Sequence, residues 1–402
     1  MSLLRAALVL GLLSAVGPFA IDMYLPALPQ LAASLGVNET AAQMTLTSYF
    51  VAFGLAQLFY GPWSDQAGRK APLFAGLAVF VIGGAICALA DSIGTLVAGR
   101  AIQGIGGAVL MVVPRAIIRD MHTGAAATKM MALVMLVISV SPMLAPLAGA
   151  GIIAFGDWRM IFWVLCGAAA LSIILTATAL PETLPADRRE KVDFAHLRRG
   201  AKVLLTDPVF MGLTFIGGFG MASFFVFIAS ASFVYVEQFG LTPTGFSLAF
   251  AINALGFFAA SQAAGPLGDR FGMVPVMRSG VMAFAGFTLL LLGVTLTFGA
   301  DLYVIVALLF CANAGLGVVI PATMVMALDA HGRIAGLASS LGGTMQMLAG
   351  GVMIAVTGLF FDGTATPMVA AIALCAVIAL GLALVTLNRI TPAPATPAAP
   401  MV

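Results

Sequence analysis

Charge is what this chain has least of. Only 8% of its 402 residues are Asp, Glu, Lys or Arg, against roughly a quarter in an ordinary soluble domain. With 61% hydrophobic residues as well, a soluble globular fold is excluded. Eighteen basic and sixteen acidic residues leave a formal charge of +2, and no basic block is large enough to neutralise a nucleic-acid backbone, so nucleic acid is not a partner. The four cysteines, Cys87, Cys166, Cys311 and Cys375, sit in apolar runs without CxxC or metal-ligand spacing. They read as packing groups, and no metal or other cofactor is expected. No Lys follows a Gly, so a GxxxxGK phosphate loop is absent and ATP hydrolysis of that kind is excluded. His122, His196 and His331 all fall outside the apolar runs, which argues against a histidine relay. No nucleophile or metal cluster suggests an enzyme.

What is present is length of apolar sequence. A bilayer core takes about twenty apolar residues per helix. Breaks at polar, Gly and Pro positions give spans near 5–25, 40–60, 71–90, 93–118, 129–154 and 158–180, then 208–234, 244–264, 273–298, 302–327, 336–361 and 366–388. The expected fold is an all-α membrane protein of twelve transmembrane helices. With the N-terminus inside, sixteen of the eighteen Lys and Arg, including Arg115, Arg119 and Lys129, fall on the cytoplasmic side, where such residues are enriched. Both termini are therefore expected in the cytoplasm. Arg5 before the first apolar run also fits a secretory leader, but its removal would leave eleven spans and reverse that parity.

Residues 182–207 carry eleven of the thirty-four charges and read as a cytoplasmic linker. They separate an N-terminal six-helix bundle, residues 1–181, from a C-terminal one, residues 208–390, and the Pro/Ala-rich tail 391–402 reads as disordered. The halves repeat. The turn after the second span is Gly61-Pro62-Trp63-Ser64-Asp65-Gln66-Ala67-Gly68-Arg69-Lys70, and the turn after the eighth is Gly265-Pro266-Leu267-Gly268-Asp269-Arg270-Phe271-Gly272. Two pseudo-symmetric six-helix bundles around a midplane site suit alternating access, one half rocking against the other.

The Gly-x-x-x-Asp-x-x-Gly-Arg-Lys pattern resembles the loop between helices two and three of the major facilitator superfamily, with Trp63 and Gln66 departing from it and no closing Arg-Lys pair in the second copy. Asp22-Met23-Tyr24-Leu25-Pro26 at the end of helix one, Arg100-Ala101-Ile102-Gln103-Gly104 in helix four and Ser141-Pro142-Met143-Leu144-Ala145-Pro146-Leu147-Ala148-Gly149 in helix five are together similar to the Bcr/CflA-like drug:proton antiporters. The resemblance implies a proton-coupled exporter of amphipathic drugs, amphenicol-like or bicyclomycin-like, in a bacterial inner membrane. Its expected partners are a small-molecule drug, protons and the lipid bilayer, and a monomer is expected. The alternative is a proton-coupled symporter of a small metabolite.

Asp22 alone among the carboxylates falls clearly within a span, where a charge costs at least about 2.5 kcal/mol. It reads either as a helix-end residue in water or as a proton carrier whose affinity follows alternating burial and a neighbouring cation. Arg100, at similar depth in helix four, supplies that cation or clamps backbone carbonyls, with Gln103 one turn along. An ion gradient suffices as energy source, since 100 mV is worth about 2.3 kcal/mol per charge. Tyr49, Gln103, Asn253, Asn313 and Gln346, polar groups near span centres, and Phe224 are expected to line the cavity between the halves. Pro142, Pro146 and Gly149 predict a kinked, closely packed helix five. By family resemblance, Asp65 should meet the start of helix eleven around Ala335 to Ala338 while Arg69 pairs with Asp120, with Gly61 and Gly68 freeing the turn.

Overall fold

In the computed structural model, residues 3–122, 124–189, 193–329 and 331–390 are described, and all their regular structure is helical. The expected disordered tail, 391–402, lies outside the described residues. The first half holds α1 (Leu3–Asp22), α2 (Leu28–Leu35), α3 (Glu39–Ala67), α4 (Lys70–Ala88), α5 (Ile93–Gly107), α6 (Val109–Met121), α7 (Gly124–Phe155) and α8 (Arg159–Thr178). A linker helix, α9 (Phe194–Thr206), follows. The second half holds α10 (Pro208–Phe233), α11 (Pro243–Phe271), α12 (Met273–Phe298), α13 (Leu302–Asp329), α14 (Ala335–Gly358) and α15 (Ala365–Leu387). Eleven spans among the described residues are long and apolar enough to cross a membrane, with α1–α2 and α5–α6 each making one. The twelfth is α3, whose apolar character is diluted by Gln43, Thr45, Thr47, Ser48 and Gln57.

Helix one breaks where its prolines dictate. Pro26 has no N–H to give the carbonyl of Asp22, and Pro29 none for Leu25, so the regular ladder stops at Asp22. The chain turns through a short 3-10 segment, Leu25–Ala27, and resumes as α2. The break thus places the one intramembrane carboxylate at a helix end inside the protein.

The two repeated turns are tighter than the sequence suggests. α3 runs on through Pro62 to Ala67, and α11 through Pro266 to Phe271. The chain reverses at Gly68 (φ 90°) and Gly272 (φ 85°), equivalent positions that need the left-handed freedom of glycine. Gly61 lies inside a helix and does not share that role. In helix five, α7 runs from Gly124 to Phe155 through both Pro142 and Pro146, each of which removes an amide donor from its ladder.

The halves meet along α3 and α14. Thr40 Oγ1 donates to the Gly358 carbonyl at 2.7 Å, and Thr344 Oγ1 donates to the Gly54 carbonyl at 2.7 Å. The pairing is antiparallel, each step along α3 matched by a step back along α14. Gln43 Nε2 donates to Ser230 Oγ on α10 at 3.5 Å, and the rings of Phe50 and Phe225 stack with centroids 4.0 Å apart and an interplanar angle of 13°. Among the described residues, these inter-half bonds lie from mid-membrane toward the end opposite the Arg- and Lys-rich turns, which is here called the outer end; the other is the basic end. At the basic end α9 lies on the second half, burying Leu204 and fitting Gly200 against Leu337 and Ile334 at the start of α14.

Candidate functional site

The centre of the first half is a buried cation in an aromatic cage. Arg100 on α5 is wholly inaccessible. Its Nη1 donates to the Ala20 carbonyl at 3.0 Å and to Gln103 Oε1 at 2.7 Å. The guanidinium carbon lies 4.3 Å from the Tyr49 ring centroid, 5.0 Å from Tyr24 and 5.9 Å from Phe162. Such desolvated cation–π contacts are each worth roughly 0.5–2 kcal/mol. Tyr24 is itself held by a 2.9 Å hydrogen bond to Thr45. The cage therefore joins α1, α3, α5 and α8 around one charge.

Asp22 is also buried, at 4% exposure, yet no hydrogen bond or ion pair to its carboxylate is formed among the described residues. Arg100 does reach helix one, but at the Ala20 carbonyl two residues before the carboxylate. The two side chains expected to pair thus converge on one break without forming an ion pair in this conformation. The break is closed from behind by helix five, where Gly149 on α7 faces the Met23 carbonyl and Pro26 so closely that a Cβ would collide with that oxygen. Gly151, one residue pair further on, has open space around it.

The expected cavity lining divides. Tyr49 and Gln103 are fully buried and belong to the Arg100 cage, inside the first bundle. Asn253 and Asn313 pair with each other between α11 and α13, Asn313 Nδ2 donating to Asn253 Oδ1 at 3.4 Å, and Asn253 is fully buried. A polar side chain in an apolar helix can turn into its own bundle as well as face a cavity, and these four turn inward, the Tyr49 hydroxyl and Gln103 Nε2 without a hydrogen-bond partner among the described residues. Phe224 and Gln346 keep accessible surface. Phe224 on α10 stands in an aromatic wall, with ring centroids 6.3 Å from Phe257, 6.2 Å from Phe250 and 6.5 Å from Phe227. Gln346 on α14 lies beside Gly217 and Thr323.

At the basic end, Arg69 is the hub of a polar knot. Its Nε meets Asp120 at 2.7 Å, its Nη1 meets Asp65 at 2.6 Å and Ser64 at 2.9 Å, and Thr183 adds a 3.1 Å bond to Asp120. Partial burial works against the charged guanidinium, but the hydrogen bonds and charges of Asp120 and Asp65 outweigh it and hold Arg69 above its ordinary pKa. Asp65 is spent on Arg69 and is 57% exposed; among the described residues no bond joins it to the start of α14, which packs on α9. The residue that caps a helix here is one the sequence did not single out. Glu182 accepts from the backbone N–H groups of Arg69 at 2.9 Å and Lys70 at 3.2 Å, at the start of α4, and from Leu184 at 3.0 Å. Burial raises the Glu182 pKa, but those three N–H donors and the Arg189 charge pull it below the usual carboxylate range. Its position just after Pro181, with no turn signature around it, gave no signal.

Twelve membrane-spanning helices in two bundles, with a buried acid and a buried cation converging on a broken helix, are the architecture of a membrane transporter. The family model of the Major Facilitator Superfamily matches residues 10–353 and 215–400, and the chain belongs to that family as a multi-pass membrane transporter. It is 34% identical over 377 residues, 93% of each chain, to the "Uncharacterized MFS-type transporter YdgK" of Bacillus subtilis (strain 168). It is 29% identical over 375 residues, 93% of this chain and 94% of the other, to the "Bicyclomycin resistance protein homolog" of Haemophilus influenzae. The crystal structure of a D-xylose-proton symporter superposes with a TM-score of 0.76 at 18% identity, covering 96% of this chain and 97% of that one, a likeness of fold.

Proposed function

We propose that the protein is a proton-coupled antiporter that exports amphipathic drugs across a bacterial inner membrane, with the basic end and both termini in the cytoplasm. The observation that carries this reading is the buried, unpaired carboxylate of Asp22 at the break in helix one, next to a guanidinium that is held on the Ala20 carbonyl. A proton can neutralise Asp22 in this arrangement. When the halves rock, Arg100 can exchange the carbonyl for the ionised carboxylate and so favour proton release. Kinship with a bicyclomycin resistance homolog supports a drug as the counter-cargo, and the aromatic wall around Phe224, with Gln346, supplies a largely apolar surface with an orienting amide. The positive-inside distribution supports the orientation. The Arg69–Asp120–Asp65 knot is proposed to stiffen the cytoplasmic end of the first half, so that it moves as one body.

The test is export itself. Cells expressing the protein should gain resistance to bicyclomycin or amphenicol drugs, and everted vesicles should accumulate drug only while a proton gradient is maintained. Unchanged susceptibility across these drugs, with gradient-driven uptake of a metabolite into intact cells, would replace the reading with symport.

A further inference from the structure

Two cations at the basic end are unlike Arg69. Arg115 and Arg119 stand one turn apart on one face of α6, and His122 follows just past its last residue, Met121. Among the described residues neither arginine makes a hydrogen bond or ion pair, and Arg115 Nε and His122 Nε2 are buried polar atoms without a partner. Arg119 is exposed at the helix end, where topology alone explains a basic residue. Arg115 is different. It lies six residues before the last residue of α6, about 9 Å inward at 1.5 Å per residue. It is partly buried, with its Nε shut off from solvent while the side chain keeps some accessible surface. The nearby carboxylate, Asp120, is committed to Arg69 and Thr183. Like charges one turn apart repel, and a partly buried cation without a partner is costly, so an anion from outside the chain would relieve both.

We propose that the Arg115–Arg119–His122 cluster is a binding site for an oxyanion at the basic end: a carboxylate, phosphate or similarly accepting group, held by the guanidinium of Arg115 with Arg119 and His122 at the mouth. Arg is suited to this because its planar donors match two oxygens at once. The group can come from cytosolic cargo or from a phospholipid headgroup. The inference extends the export reading to the charge of the cargo. It is tested by binding alone, so it can fail while drug export stands, and export can fail while this site stands.

The experiment uses the full chain in phosphatidylcholine nanodiscs, titrated calorimetrically with naphthoate, neutral naphthamide and cationic naphthylmethylammonium. Naphthoate should bind wild type about tenfold more tightly than naphthamide, a difference of about 1.4 kcal/mol, and the ammonium more weakly than either. Arg115→Gln should abolish the preference while leaving naphthamide binding unchanged. Arg115→Lys should keep part of it, and the exposed Arg119→Gln should lower it about threefold, which keeps the test decisive if Arg115→Gln folds poorly. Replacing half of the lipid with phosphatidylglycerol separates the sources. An unchanged naphthoate affinity assigns the site to soluble anions, and a competitive loss seen in wild type but not in Arg115→Gln assigns it to lipid phosphate; both support an oxyanion site. Equal binding of naphthoate and naphthamide to wild type, or a preference that survives in Arg115→Gln, overturns it.

Discussion

Among the described residues, the buried charged side chains are Asp22, Arg69 and Arg100, and all three lie in the first half. The second half instead buries amides, hydroxyls and rings, among them the Asn253–Asn313 pair, Thr288, Thr323, Phe227 and Phe250, with the partly exposed Phe224 and Phe257 beside those rings. The halves repeat one helix pattern down to the left-handed glycines at 68 and 272, yet the second turn has no counterpart of the Arg69 knot. The halves thus share a turn geometry and differ in chemistry. On the proposed function, the first half responds to protons and the second presents a surface for an apolar cargo.

That division can be broken at several points. The largest effect is expected at Arg100, whose two charge-assisted hydrogen bonds are worth roughly 1.5–3 kcal/mol each. Arg100→Met should abolish coupled export, and Arg100→Lys should recover little of it, because a Lys cannot fill the ring cage and hold both acceptors. Export assays in vesicles, with thermal unfolding as the folding control, check this. In the second half no single polar substitution should reproduce that loss.

Next is Gly149. Overpacking a close helix contact costs roughly 1–3 kcal/mol, so Gly149→Val should impair transport about tenfold or more through displacement of the Met23–Pro26 break. Gly293→Ala in α12, where nothing lies within 4 Å, should be silent. A smaller and different effect is expected from Phe224→Ala or Gln346→Ala: the ranking of exported drugs should change several-fold while drug-dependent proton release persists. Uniform loss across all drugs would show that these residues act in folding or gating, and would remove the cargo role from the second half.

The smallest effect concerns Glu182. Its pKa is depressed in the folded protein, so the stability it contributes is present above the ordinary carboxylate value and is lost as pH falls through the lowered one. Glu182→Gln should therefore be less stable than wild type near pH 7, with the difference shrinking at acid pH below that lowered value. Thermal unfolding of the two proteins across pH 3–7 measures it.

Much of the fold was legible because the bilayer sets a fixed length for apolar runs, and a charge inside such a run stands out. Asp22 and Arg100 are visible for that reason, the Arg69–Asp120 pair follows from the family resemblance of its turn, and Pro26 and Pro29 mark where helix one is interrupted. The lining of the cavity was not legible. In a membrane the core and the lipid are both apolar, so composition does not fix the rotation of a helix about its axis. Tyr49, Gln103, Asn253 and Asn313 accordingly turned into their own bundles. The same ambiguity hid Phe50 and Phe225, two of 28 phenylalanines, although their stacking joins the halves. Arg115 reads as an ordinary cytoplasmic charge until its depth in α6 is seen.

The central claim is that protons pass through the first half at Asp22. It is tested most directly by measuring drug-dependent proton release from proteoliposomes carrying Asp22→Asn, with drug binding and unfolding temperature as controls. The account predicts a folded protein that still binds drug and releases no protons when drug is added. Proton release at the wild-type rate in Asp22→Asn would contradict it.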